Sequence, residues 1–172
     1  MKRIYLLLPG MILLCILTAC GGKKETASAP DCPFTELKWD STPEDMASIE
    51  GEDYGSYDSL YGGLCYTYPK EYEGYAGTVK YMFNDKDELM SVAWAYSAET
   101  VEEIEALYDT VSTSLTARYG ESGYDAGGAG NYGGVWYLEE GDIVLTTMST
   151  SEIRALQYAY LHPLVSKGET DS

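Results

Sequence analysis

Four cysteines and a single histidine are the residues of this sequence with the clearest capacity for covalent or metal chemistry. His162 stands directly before Pro163, and the sequence has no second histidine to complete a typical zinc site. It is also the only imidazole that could activate a serine or cysteine nucleophile. The segment Gly120-Glu121-Ser122-Gly123 lacks the spacing of the Gly-x-Ser-x-Gly turn. We therefore predict no catalytic residue, no metal site and a protein that is not an enzyme.

A glycine-rich segment, Gly128-Ala129-Gly130-Asn131-Tyr132-Gly133, matches the Gly-x-Gly-x-x-Gly pattern of dinucleotide-binding proteins. That pattern binds phosphates where it leaves a strand and opens a helix. Here a predicted helix precedes it and a predicted strand, 135–138, follows it. The sequence also has no lysine or arginine between Arg118 and Arg154. We predict a flexible loop that binds no nucleotide, and no cofactor for the chain.

The N-terminal residues have the layout of an export signal, with Lys2-Arg3 followed by an apolar run from Ile4 to Leu17. As a helix this run would reach about 21 Å, which is short of the roughly 30 Å core of a bilayer. It ends in Leu17-Thr18-Ala19-Cys20, which resembles the lipobox of bacterial lipoproteins. The resemblance implies that Cys20 is lipidated and becomes the new N-terminus, anchored in the cell membrane on its extracytoplasmic face. An ordinary secretory signal with a chance cysteine is the alternative.

Composition divides the chain into a signal peptide (1–19), a flexible tether that carries Cys20 (20–31), one domain (32–163) and a disordered tail (164–172). The chain has 28 acidic and 11 basic residues, a net charge of −17. Such a surface repels the phosphates of nucleic acids and anionic lipids. We expect no nucleic-acid partner, membrane attachment only through the lipid on Cys20, and a protein partner in the envelope. The charge would also attract a basic partner or divalent cations.

Two cysteines, Cys32 and Cys65, belong to the predicted domain, whereas Cys15 lies in the signal. Exported proteins meet an oxidising environment, so a Cys32–Cys65 disulfide is one interpretation. Two isolated structural thiols are the other.

The order of predicted elements indicates the fold class. A short entry strand around 32–39 leads into a short helix from Pro43 to Ile49, which Gly51 ends, and residues 52–63 are predicted as a loop. Strands follow around Tyr66 and Tyr68 and in a hairpin, 78–83 with 90–96. A long helix spans 100–119. The last strands are predicted at 135–138, 143–148 and 153–161.

These elements predict an α+β fold, an antiparallel sheet of about six strands with one short and one long helix packed on one face. The order is compatible with a duplicated α-β-β-β unit. The arrangement resembles small lipoprotein folds of the BamE and β-lactamase-inhibitor type over residues 35 to 160. The resemblance is one of architecture alone and carries over no partner and no activity.

Tyrosines at Tyr54, Tyr57 and Tyr61 give the sequence a second candidate surface. Tyrosine rings can stack on sugars, although tyrosines half-buried on a sheet are the ordinary interpretation. The leading prediction is a lipid-anchored, non-catalytic binding or assembly module on the outer face of the bacterial envelope. A carbohydrate-binding accessory lipoprotein that uses these tyrosines is the alternative, and an enzyme of unknown type comes third.

Overall fold

Eight antiparallel strands form one sheet in the computed structural model, which describes residues 31–128 and 130–167. The predicted signal peptide, Cys20, the tether up to residue 30 and the tail from residue 168 lie outside the described residues. The strands follow the order β1-β2-β3-β4-β8-β7-β6-β5. The elements are α1 (Pro43–Glu50), β1 (Gly55–Asp58), β2 (Gly62–Tyr72), β3 (Tyr75–Asn84), β4 (Leu89–Ser97), α2 (Val101–Tyr119), β5 (Tyr124–Gly128), β6 (Asn131–Trp136), β7 (Asp142–Ser149), β8 (Arg154–Leu161) and α3 (Pro163–Ser166).

Each half of the chain is a helix followed by four strands, and the last strands of the halves, β4 and β8, pair at the centre of the sheet. The helices α1 and α2 end at Gly51 and Gly120, whose φ angles of 95° and 87° suit glycine. In both halves the next strand begins four residues after that glycine, at Gly55 and at Tyr124. The predicted α+β class with an antiparallel sheet is confirmed, whereas the predicted number of about six strands is wrong.

The two strands that the sequence did not predict, β1 and β5, are the two edges of the sheet. All four residues of β1 are exposed. A strand that buries neither face has no reason to alternate apolar and polar residues, so periodicity does not reveal it. The predicted loops at 52–63 and at 128–133 therefore each contain strand residues, and the glycine-rich segment forms the β5–β6 hairpin.

The predicted entry strand at 32–39 is wrong, because these residues form turns and irregular chain. Its three apolar residues are nevertheless buried: Phe34, Leu37 and Trp39 are each at most 4% exposed. The Trp39 indole N–H donates to the Glu140 carbonyl at 2.7 Å. Side-chain burial, and not strand pairing, thus holds this segment against the domain.

Both main helices begin as their sequences predict. Thr42 accepts from the Asp45 backbone N–H while the Asp45 carboxylate accepts from the Thr42 N–H, which forms a capping box. Thr100 accepts from the Glu103 N–H at 3.2 Å in the same way.

One face of the sheet, the helix face, carries the core. Its strand residues include Tyr68, Val79, Tyr81, Val92, Trp94, Ile143, Leu145, Leu156, Tyr158 and Tyr160. From α2 come Ile104, Leu107, Tyr108, Val111 and Leu115, whereas α1 buries only Met46. The Tyr108 ring stacks on Tyr132 of β6, and the Tyr81 hydroxyl donates to Glu50 at the end of α1. Both helices therefore lie on the same face of the sheet, as predicted.

Candidate interaction face

The opposite side of the sheet is covered by neither α1 nor α2, and we call it the open face. It includes the residues that alternate with the core residues along five of the six inner strands. These are Cys65, Thr67 and Pro69 of β2, Thr78, Lys80 and Met82 of β3, Ser91, Ala93 and Ala95 of β4, Val144, Thr146 and Met148 of β7, and Ala155, Gln157, Ala159 and Leu161 of β8.

The centre of the open face is recessed, because its side chains are small. Ala93 of β4 lies directly opposite Ala159 of β8, with Lys80 beyond Ala93 and Val144 beyond Ala159. The two alanines are 0% and 2% exposed, so their methyl groups form a floor between the larger neighbours. Larger groups are accessible around this floor: Gln157 and Thr146 are exposed, and Met148 is 50% exposed.

The open face carries no carboxylate at the positions given above, and Lys80 is its single charged residue there. The same alternation places two carboxylates on this side at the ends of its strands: Asp142, which lies opposite Leu161 and is 8% exposed, and the exposed Glu71 near the end of β2. Burial raises the pKa of Asp142, whose carboxylate accepts from the Leu138 N–H. In a chain with 28 acidic residues, the negative charge is thus placed on the helices, the loops and the ends of the strands.

Of the three predicted ligand tyrosines, Tyr57 reaches the open face. It lies on the edge strand β1 directly opposite Cys65 of β2, and it is 48% exposed. A hydrogen bond with the Cys65 thiol and partial burial raise the pKa of Tyr57 to about 12. Tyr57 therefore stays a neutral phenol at physiological pH.

Tyr54 lies on the other side of the sheet, where its ring contacts those of Tyr66 and Tyr68 with centroids 5.0 and 5.9 Å apart. Tyr61 is at the β1–β2 turn and is half-buried. The structure therefore does not bring Tyr54, Tyr57 and Tyr61 together into one stacking surface.

The predicted disulfide is not formed, because Cys32 and Cys65 are both free thiols. The sheet separates them: Cys65 is buried on the side of the open face beside Tyr57, whereas Cys32 packs against the core on the helix face. Burial raises the pKa of the Cys32 thiol to about 12, so it remains protonated. The alternative interpretation, two isolated thiols, describes both residues.

His162 has a structural contact. Its Nδ1 accepts from the Leu164 N–H at 3.0 Å and so caps the one-turn helix α3, while its ring packs edge-on against Trp39. The helix α3 includes residues 164 to 166, which the sequence predicts as part of a disordered tail. Within 31–128 and 130–167, no group of three or more histidine, cysteine, aspartate or glutamate side chains is arranged to hold a metal ion.

Sequence reasoning did not identify the open face, although its signal was present. In the predicted hairpin of 78–83 and 90–96, the residues that alternate with Val79, Tyr81, Val92 and Trp94 form the set on the other face. That set contains alanine, serine, threonine and methionine where a solvated sheet face usually carries charged residues.

Among the described helices, none is long and apolar enough to cross a membrane. Comparisons with models of protein families, with curated proteins and with solved structures found no match to this chain.

Proposed function

We propose that this protein is a lipid-anchored, non-catalytic binding module on the outer face of the bacterial cell envelope, and that it engages a protein through the open face. The observation that carries the proposal is a broad, nearly uncharged sheet face on a strongly acidic domain. The helices leave this face accessible to another molecule.

A solvated antiparallel sheet face normally alternates polar, often charged residues with its core residues. The open face instead presents Met82, Val144, Met148 and Leu161 around the alanine floor. Surface that is poor in charge and partly apolar is typical of sites where proteins associate. The same feature supports binding more than catalysis, since neither a nucleophile with a base nor a cluster of ligands accompanies it on the open face.

The anchor rests on the resemblance of Leu17-Thr18-Ala19-Cys20 to a lipobox. A diacylglyceryl group with a further acyl chain binds a bilayer stably, whereas one chain is marginal. The residues from Cys20 to Pro30 would then separate the domain from the membrane.

Membrane fractionation tests the anchor. The native protein is expected in the membrane fraction with a lipidated Cys20 by mass spectrometry, and Cys20→Ser is expected to abolish the modification. An unmodified Cys20 in protein purified from native membranes contradicts this part of the proposal.

Site-specific crosslinking tests the binding role. A photoreactive amino acid at Thr146, on the open face, is expected to form an adduct with another protein in native membranes. The matched position is Thr113, which is exposed on α2 and is expected to form none. Equal adducts from both positions, or none from either, contradict binding through the open face.

A further inference from the structure

We infer that the partner of the open face is a basic protein, which inserts bulky apolar side chains over the Ala93–Ala159 floor and places lysine or arginine against the surrounding carboxylates. This inference rests on the proposed function, because it specifies the chemistry of the partner that the open face engages.

The first support is the distribution of charge around the face. Exposed carboxylates lie at both ends of the strands, whose centres have none on the open face. At the end with the β2–β3 and β7–β8 turns are Glu71, Glu73, Glu99 and Glu152, and at the end with the β3–β4 hairpin and the β6–β7 connection are Asp85, Asp87, Glu88, Glu139 and Glu140. Two basic residues, Lys86 and Arg154, lie at the same ends, so the carboxylates outnumber the cations there. We call the nine carboxylates the acidic rim.

A centre with few charges and a charged border is the usual organisation of a protein interface. The acidic rim would attract a partner with basic residues at matching positions and would accelerate its encounter. A second copy of this chain would instead bring two acidic rims together, and an anionic membrane surface would be repelled. Charge therefore favours a basic protein over both.

The second support is the shape of the centre. The floor of Ala93 and Ala159 lies between Lys80 on one strand and Val144 on another, so the lowest part of the face is also among its least polar. Protruding apolar side chains of a partner would gain about 25 cal/mol for each Å² of apolar surface buried there. Small residues on this chain thus correspond to large residues on the partner.

Gln157 provides a sensitive test, since it is exposed and lies directly between Ala95 and Thr146 on neighbouring strands. In full-length protein in native membranes, with the photoreactive group at Thr146, we compare Gln157→Arg with Gln157→Glu. Gln157→Glu keeps the size of the side chain and adds a negative charge, whereas Gln157→Arg adds a positive charge on a longer side chain. Thr113→Arg on α2 is the matched control.

Against a basic partner, Gln157→Arg is expected to lower the yield of the protein adduct about tenfold, whereas Gln157→Glu and Thr113→Arg leave it unchanged or higher. The adduct is also expected to decrease in high salt, because the Debye length shortens from about 10 Å at 0.1 M to about 3 Å at 1 M. Mass spectrometry of the adduct should locate it in a lysine- or arginine-containing segment.

Charge reversal in the rim adds an independent comparison. Glu139→Lys with Glu140→Lys should lower the yield about fivefold or more, whereas Glu102→Lys with Asp109→Lys on α2 changes the net charge equally and should have a much smaller effect.

Several results would overturn the inference while the proposed function stands. These are equal losses with Gln157→Arg and Gln157→Glu, a greater loss with Gln157→Glu, a yield insensitive to salt, or an adduct with a second copy of this chain. An adduct with lipid alone overturns the inference and the protein-binding role together. If the protein with the photoreactive group at Thr146 and no other substitution forms no adduct, the proposed function itself is overturned.

Discussion

The Tyr81 hydroxyl donates a hydrogen bond of 2.6 Å to Glu50 Oε1, and this contact joins the last residue of α1 to the third strand of the sheet. Lys70 Nζ donates to both oxygens of the same carboxylate, at 2.8 and 3.0 Å. The Glu50 side chain is only 9% exposed. Burial and the neighbouring carboxylate both raise the pKa of Tyr81, so the hydroxyl remains protonated and donates to Glu50.

Removing this donor should destabilise the domain. Tyr81→Phe is expected to lower the free energy of unfolding by about 1.5 to 3 kcal/mol, the usual cost of losing a hydrogen bond to a charged group in a buried setting. Urea denaturation measures the change. Tyr124→Phe is the control, since Tyr124 is 55% exposed, and it should change stability little. Equal stability of both variants would show that the Tyr81 contact contributes nothing.

A second prediction concerns how α1 is held. Met46 is the only residue of this helix that is fully buried, whereas Ile49, three residues later, is 50% exposed. Met46→Ala should cost about 2 to 4 kcal/mol through lost burial and a cavity, and Ile49→Ala should cost much less. Thermal or urea unfolding of the two variants measures the losses. Similar losses of stability from Met46→Ala and Ile49→Ala would contradict the role of Met46 in holding α1 on the sheet.

His162 predicts a pH dependence of stability. Burial lowers the pKa of His162 below its ordinary value of 6.5, an effect that nearby Glu88 partly offsets. The unfolded chain therefore binds this proton more readily than the folded one. The stability that the neutral imidazole provides is complete above the unfolded pKa and is lost as the pH falls through the folded one.

The variant His162→Asn isolates this effect, because an asparagine oxygen can still accept from the Leu164 N–H but does not titrate. Between about pH 7.5 and about pH 5.5, the native protein should lose more stability than the variant. Carboxylates affect both proteins alike. Parallel stability curves for the two would contradict the prediction.

The two domain cysteines should be unreactive and unpaired. In a variant with Cys15→Ser and Cys20→Ser, only Cys32 and Cys65 remain. Because Cys32 is held protonated and Cys65 is 0% exposed, neither should be alkylated in the folded state, and both should react after unfolding. Reduction should leave the intact mass unchanged, and a gain of about 2 Da would demonstrate a disulfide.

The sequence alone determined the elements whose signals are local. Thr42 and Thr100 mark helix starts, Gly51 and Gly120 mark helix ends, and the alternation in 78–83 and 90–96 identifies a hairpin, because capping and burial of one strand face depend on neighbouring residues. The same patterns supplied the α+β class. The resemblance of Leu17 to Cys20 to a lipobox, on which the proposed anchor rests, is also a purely local signal.

The tertiary structure decided what depends on distant pairing. The edge strands β1 and β5 pair with β2 and β6, and all four residues of β1 are exposed, so no burial pattern in the sequence reveals it. Cys32 and Cys65 are far enough apart in sequence to close a loop, yet the sheet separates them. The open face likewise arises only when β4 pairs with β8 and brings Ala93 beside Ala159, because residues from the two halves of the chain become neighbours through that pairing alone.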